Sequence, residues 1–305
     1  MVNTRRQGLL CGVGAYLWWG LCPGYFPLLA PAGSVEVLAH RIVWSVVFLL
    51  VVLTVARRLG DLVRLSARTW LYLAAASALI SLNWGTYIYA VMNDHVVDAA
   101  LGYFINPLVS VALGVLVLGE RVGGLQRIAL AVAAVAVVVL TVEVGQPPYI
   151  ALVLAASFGI YGLVKKVVDA DPRVGVAVET LLALPLAGGF LIALHLLGEG
   201  SFGNHGAGHT VLLLAAGPVT AIPLLLFAAA AQRLPLVVLG LLFYLNPALQ
   251  MAWGVLVNHE SMPLGRWIGF ALIWVALAVM AVDALRRGGA GTPNRPAAVP
   301  DRVVP

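Results

Sequence analysis

The chain has 305 residues, 62% hydrophobic and 10% charged, with a net charge of +5 and a mean hydropathy of +0.99. A water-soluble domain carries about 25% charged residues, so this chain cannot coat a water-facing globule with charge and its surface must face lipid. The positive charge does not imply a nucleic-acid partner, because its placement follows membrane topology. Cys11 and Cys22 belong to no Cys/His cluster with metal-ligand spacing.

A helical span needs ~20 mostly apolar residues. In chain order the predicted spans cover 8–30, 35–56, 70–92, 98–118, 124–143, 148–165, 175–197, 210–231, 236–257 and 264–285. Arg5-Arg6 before the first run resembles a signal peptide, but no small-residue cleavage site follows in place, so it reads as an uncleaved span. The fold class expected is all-α, a polytopic membrane protein with ten helices. The tail "GGAGTPNRPAAVPDRVVP" (288–305) is Gly/Pro-rich and without periodicity, and reads as disordered and cytoplasmic.

Placing the N-terminus in the cytoplasm puts 16 of the 18 basic residues on that side, with Arg266 outside and Arg41 within a span. This is the positive-inside bias, and it places both termini in the cytoplasm. Arg outnumbers Lys 16 to 2 beside abundant Ala, Gly and Val. That usage suggests a bacterial chain, hence the cytoplasmic membrane.

The first span offers Tyr16, Trp19 and Pro23 at comparable spacing. The second opens with His40 and Arg41, ionisable groups that are expensive in a bilayer and therefore functional candidates. Arg41 can hold a carboxylate or phosphate through two hydrogen bonds; the structural alternative is an arginine snorkelling to the interface. His40 serves as a substrate contact or as a packed, hydrogen-bonded histidine. In the third span Asn83 and Tyr87 share a face at i, i+4 beside Trp84. Such amide and aromatic walls suit an amphiphilic ligand, and equally suit ordinary packing.

The fourth span contains Asn106-Pro107 in an apolar interior, where proline removes a backbone hydrogen bond and asparagine is costly to bury. The sixth holds Tyr161 and ends at Lys165-Lys166. Glu179, in the seventh, is the one carboxylate placed clearly inside a span and the best carrier were transport proton-coupled; the alternative is a carboxylate stabilised near a helix N-terminus. Inversion sets Arg41 and Glu179 near opposite faces, so a direct pair between them is not expected.

The ninth span repeats the Asn-Pro motif as Asn246-Pro247. Aligning 101–120 with 241–260 at an offset of 140 gives nine identities, including Asn, Pro, Gly-Val-Leu-Val and the final Glu. "LWWGL" (17–21) echoes "GIYGL" (159–163). Two halves of five spans each must run in opposite senses, an inverted repeat of the kind many secondary transporters share. The expected division is 1–145, 146–287 and the tail. Asn106 and Asn246 could bond freed carbonyls or a ligand, with Pro107 and Pro247 as gating breaks; a satisfied structural kink is the alternative. Gly102, Gly114 and Gly254 would allow close helix approach.

The segments "GAYLWWGLCPGYF" (14–26), "EVLAHRIVWS" (36–45), "SLNWGTYIYAV" (81–91), "VVDAALGYFINPLVSVALGVLVLGER" (96–121), "SFGIYGLVKK" (157–166), "VETLLALP" (178–185) and "TAIPLLLFAAAAQRLPL" (220–236) resemble, in order, the EamA family of the drug/metabolite transporter superfamily, in its RarD-like branch. The resemblance implies two inverted five-helix halves, a cavity walled by spans one to four and six to nine, and spans five and ten at the periphery. It also implies movement of small organic molecules across the cytoplasmic membrane. The second half reads "VNHE" (257–260) where the first reads "VLGE", which bears on whether Glu120 and Glu260 act alike.

The function expected is a secondary transporter, an exporter-type permease working by alternating access between the halves. No cofactor, metal or catalytic residue is expected. The partners are a small organic substrate, anionic or amphiphilic, and membrane lipids, with no nucleic acid. The alternatives are an integral membrane lipid-modifying enzyme and a lipid-linked sugar flippase. No Walker lysine loop encodes an ATP motor.

Overall fold

The computed structural model describes residues 2–118, 123–168, 172–231, 233–234, 238 and 242–289. Its α-helices are α1 (Val2–Leu21), α2 (Ser34–Val55), α3 (Ala67–Met92), α4 (Val96–Leu118), α5 (Gly124–Val144), α6 (Tyr149–Val167), α7 (Pro172–Leu197), α8 (Gly206–Ala231), α9 (Leu245–Leu256) and α10 (Leu264–Gly289). Seven contain stretches long and apolar enough to cross a membrane, and α6 has a shorter apolar run, Tyr149–Lys165.

Local chemistry sets several ends. Ser66 Oγ accepts the Thr69 N–H at 3.1 Å and caps α3. Gly145, at φ +76°, closes α5 in the left-handed conformation that glycine adopts freely. The first apolar run, read as one span to residue 30, stops being α-helical at Leu21. Pro23 and Pro27 then start two 3-10 turns, Cys22–Gly24 and Phe26–Leu29.

The two Asn-Pro motifs differ. Pro107 lies inside continuous α4. Pro247 lies in the first turn of α9, where the missing N–H has no helical partner to lose. Helix α9 covers the later part of the predicted ninth span; before it residues 238, 242 and 243 are helical and Tyr244 is a turn, while 235–237 and 239–241 lie outside the described residues. The last helix runs to Gly289, past the predicted boundary at 287; the rest of the tail and Glu120 lie outside the described residues.

Among the described residues, eight helices form a closed ring in the order α1, α8, α2, α7, α3, α6, α4, α9 and back to α1. Exchanging α1 with α6, α2 with α7, α3 with α8 and α4 with α9 maps this ring onto itself. The neighbour pattern is thus that of an inverted duplication. Helices α5 and α10 pack on each other outside the ring and reach it through α4, where Phe104 meets Phe270 and Trp274 edge-on at 6.2 Å. Glycine sets the closest approaches. A methyl at Gly102 would come within 2.8 Å of the Ala151 carbonyl on α6, and one at Gly217 would overlap the Trp44 backbone on α2.

One difference breaks the symmetry. Helices α2 and α3 converge, with Leu38 against Gly85, whereas their counterparts α7 and α8 barely touch. Leu38 lies near the start of α2 and Gly85 towards the end of α3, so convergence is at the face opposite the chain termini.

Candidate functional site

The ring encloses a cavity of about 610 Å³. Tyr16, Trp19, Arg41, Asn83, Tyr87, Tyr161, Glu179 and Asn246 all line it. His40, Asn106, Pro107 and Pro247 are not among its lining residues.

At one end stands Arg41, only 6% exposed. Its Nε donates to Thr220 Oγ1 on α8 at 2.7 Å, and its guanidinium carbon lies 4.2 Å from the centre of the Trp84 ring and 5.8 Å from that of Phe26. Nη1 is buried without a hydrogen-bond partner, and among the described residues no carboxylate pairs with the guanidinium. A charge so enclosed is held by cation–π attraction and one hydroxyl.

At the other end Glu179 is paired on both oxygens. Lys165 Nζ donates to Oε1 at 2.7 Å and Tyr161 OH to Oε2 at 3.0 Å. Tyr161 and Lys165 share a face of α6 at i, i+4, while the Glu179 backbone carbonyl accepts from Ser77 on α3 at 2.6 Å. Arg41 and Glu179 therefore take separate partners at separate ends of the cavity. The Lys165 side chain keeps 24% of its surface exposed and that of Glu179 only 2%, so this end is the wetter one.

Two amide networks lie between. Asn83 donates to the Leu154 carbonyl at 3.0 Å and to Ser157 Oγ at 3.1 Å, and accepts from Tyr103 OH at 3.3 Å, tying α3, α6 and α4. On α9, Gln250 Nε2 donates to Asn246 Oδ1 at 2.9 Å and to Tyr87 OH at 3.1 Å. Gln250 Oε1 is buried and has no partner. Aromatic rings fill the walls: Tyr16 lies 5.7 Å from Trp19 and 5.9 Å from Phe243, and Phe158 lies 5.9 Å from Tyr161.

His40 sits beside the cavity. Its ring stacks on Phe202 at 5.3 Å, Nδ1 accepts from Trp44 at 3.2 Å, and Nε2 faces Glu36 at 3.9 Å. Asn106 is buried, with a methyl at Gly159 of α6 projected 3.7 Å from its Oδ1. The sequence reading did not single out Gln250 as a site residue. An amide four residues after Asn246 in an apolar run was the available signal. It also passed over Glu36, a second buried carboxylate in the first turn of α2.

The face opposite the termini is tied by several polar contacts. Glu260 accepts the N–H groups of Val96 and Val97 at the start of α4. Glu36 accepts from Ser201 N at 2.6 Å and Ser201 Oγ at 3.0 Å, in the α7–α8 connection. Tyr25 OH donates to the Leu212 carbonyl at 2.6 Å, and Arg266 to Asp98 at 3.2 Å. Burial pushes the Glu260 carboxyl above its ordinary value and Asp98 adds to this, against the amides of Val97 and Val96 and the charge of Arg266.

Comparison with known proteins fits this geometry. A model of the EamA-like transporter family matches residues 6–142 and again 148–282. The chain is 49% identical to Protein RarD of Streptomyces exfoliatus over 301 residues, 98% of this chain and 95% of that protein. It is 40% identical over 291 residues to an uncharacterized transporter of Vibrio cholerae, 94% of this chain and 96% of that one. A solved structure described only as a crystal structure of a protein is 18% identical, with a TM-score of 0.61 over 92% of this chain and 99% of its own, which shows a shared fold.

Proposed function

The chain belongs to the EamA-like transporter family, and from that premise we propose that it is a secondary transporter of a small organic molecule, working by alternating access between halves 1–145 and 146–287. It is an integral membrane protein, and its relatives are named as transporters. The observation that carries the reading is the broken symmetry of the ring around one cavity. In an inverted repeat the two access states are exchanged by swapping the conformations of the halves. Here α2 and α3 converge at one face while α7 and α8 stay apart. The mirror arrangement would close α7 on α8 and release α2 from α3.

The basic residues favour a cytoplasmic termini face in a bacterial cytoplasmic membrane. In that orientation the polar ties close the outside, the wetter Lys165–Glu179 end faces the cytoplasm, and the state suits loading for export. Arg41 is the anchor for an anionic group, with the aromatic walls holding an apolar body. Glu179, already paired, is the switch: substrate or proton arriving between it and Lys165 alters the contact of α6 with α7. The lipid-modifying enzyme reading needs acid, base or metal ligands gathered at one depth, and among the described residues no His/Cys/Asp/Glu group is arranged to hold a metal ion.

The test compares intracellular and extracellular metabolites in cells carrying empty vector, wild type or Glu179→Gln at matched membrane expression. Transport predicts that one compound class shifts across the membrane with wild type and less with the variant. A new compound without redistribution would revive the enzyme reading.

A further inference from the structure

Two buried polar atoms in the cavity lack partners among the described residues: Arg41 Nη1, a charged donor, and Gln250 Oε1, an acceptor. Both side chains are more than nine-tenths buried and both line the cavity. A buried polar group without a partner costs about 1–3 kcal/mol, more for a charge, so the pair is legible as two halves of a ligand contact. Other contacts of each side chain fix its aim. Nε of Arg41 is held by Thr220, and the hydrogen bonds from Gln250 Nε2 to Asn246 and Tyr87 fix its amide with Oε1 left over. A short path of contacts joins the two: the guanidinium lies over Phe26, Phe26 packs on Tyr87 at 5.9 Å, and the Tyr87 hydroxyl takes the Gln250 amide.

Charge narrows the choice. The cavity's charged residues among those described are Arg41, Lys165 and Glu179, and the last two cancel. One positive charge is left over. We infer that the cavity selects an aromatic hydroxycarboxylate: its carboxylate on Arg41 Nη1, its neutral hydroxyl donating to Gln250 Oε1, and its ring among Trp19, Trp84, Phe158 and Phe243. A monoanion neutralises Arg41. A zwitterion would add an ammonium without a carboxylate partner at that end of the cavity. A ligand without the hydroxyl leaves Oε1 unpaired, and one without the carboxylate leaves the guanidinium unpaired. The volume of about 610 Å³ is in the range of small-molecule sites, about 300–1,000 Å³.

The inference rests on reading the cavity as the transport site, so its test is equilibrium binding to the purified protein in lipid nanodiscs, separate from redistribution in cells. The probes are 3-phenyllactate and 3-(4-hydroxyphenyl)propanoate, which place the hydroxyl at either end of the molecule, with 3-phenylpropanoate, 2-phenylethanol and phenylalanine for comparison. At least one hydroxy acid binds about tenfold tighter than 3-phenylpropanoate, as one buried hydrogen bond provides. Gln250→Leu abolishes that preference and keeps carboxylate binding, while Arg41→Gln weakens every anion and brings them level with phenylethanol. Equal binding of hydroxy and deoxy acids to wild type, a preference that survives Gln250→Leu, tighter binding of phenylalanine, or no binding of any probe each overturns the inference. If cells still redistribute some other compound, the transport reading stands without it.

Discussion

Glu260 and Val97 join the α9–α10 connection to the first turn of α4: Glu260 Oε2 accepts the Val97 N–H at 2.9 Å, and its Oε1 accepts that of Val96 at 2.6 Å. A helix N-terminus presents N–H groups with no partner inside the helix, and a carboxylate there satisfies them while meeting the positive end of the helix dipole. Here the carboxylate comes from the other half of the chain. The cap of one repeat's Asn-Pro helix is thus also a clasp between repeats, at the face where α2 and α3 converge.

Removing that clasp loosens one face only. Glu260→Ala is expected to cost about 1 kcal/mol at the α4 start, seen as faster hydrogen exchange at Val96 and Val97. Amides in the middle of α4 keep their protection. Uniform loss of protection along α4 would mean that Glu260 supports the fold as a whole rather than one gate.

The clasp tightens in acid. Burial raises the Glu260 carboxyl above its ordinary value, so the tied form binds the proton more strongly than an untied, hydrated form. By linkage the tied form is favoured as pH falls and loses that advantage as pH rises through the raised value. Exchange protection at Val96, corrected for intrinsic rates, should rise as pH falls through the raised value in wild type and stay flat in Glu260→Gln. Protection that falls on acidification of the wild type contradicts the assignment.

Lys165 and Glu179 should be unequal partners. Lys165 is 24% exposed and can turn to water if its partner is neutralised, whereas Glu179, at 2%, cannot. Lys165→Met should therefore destabilise by about 3–5 kcal/mol, the cost of an uncompensated buried charge, while Glu179→Gln costs clearly less. Combining the two should recover most of the stability lost in Lys165→Met. Thermal unfolding in detergent reads all three, and equal losses from the two single variants would count against the asymmetry.

Glycines on one helix should respond oppositely to alanine. Gly217→Ala on α8 forces a methyl into the Trp44 backbone of α2 and should destabilise by about 1–3 kcal/mol. Gly208→Ala on the same helix meets open space and should be neutral or stabilising by up to about 1 kcal/mol. Similar effects at both sites would show that α2 and α8 do not approach this closely.

Much of the architecture was legible before any coordinates. Asn-Pro, Gly-Val-Leu-Val and Glu in register at 106–120 and 246–260 exposed the duplication, and odd span number made it inverted. What the repeat hid was divergence. Asn246 lines the cavity and accepts from Gln250, whereas Asn106 turns towards Gly159, because position 250 is glutamine and its counterpart at 110 is serine. A motif can recur in register while its tertiary partner is chosen by residues elsewhere. His40 shows the same limit. Its neighbour Arg41 points into the cavity, but one step round the helix, about 100°, turns His40 to Phe202 in a connection over a hundred residues away. No spacing rule in α2 contains that contact.

The most direct test of alternating access is thiol labelling of a cysteine placed at Ser81, which lines the cavity. It uses a membrane-impermeant maleimide, with Cys11 and Cys22 replaced by serine, in vesicles of both orientations. Alternating access predicts reaction from the termini face in wild type, and reaction from the opposite face as well once Glu260→Ala removes the clasp. Reaction from a single face in both proteins, or from neither, would contradict a cavity that opens to each side in turn.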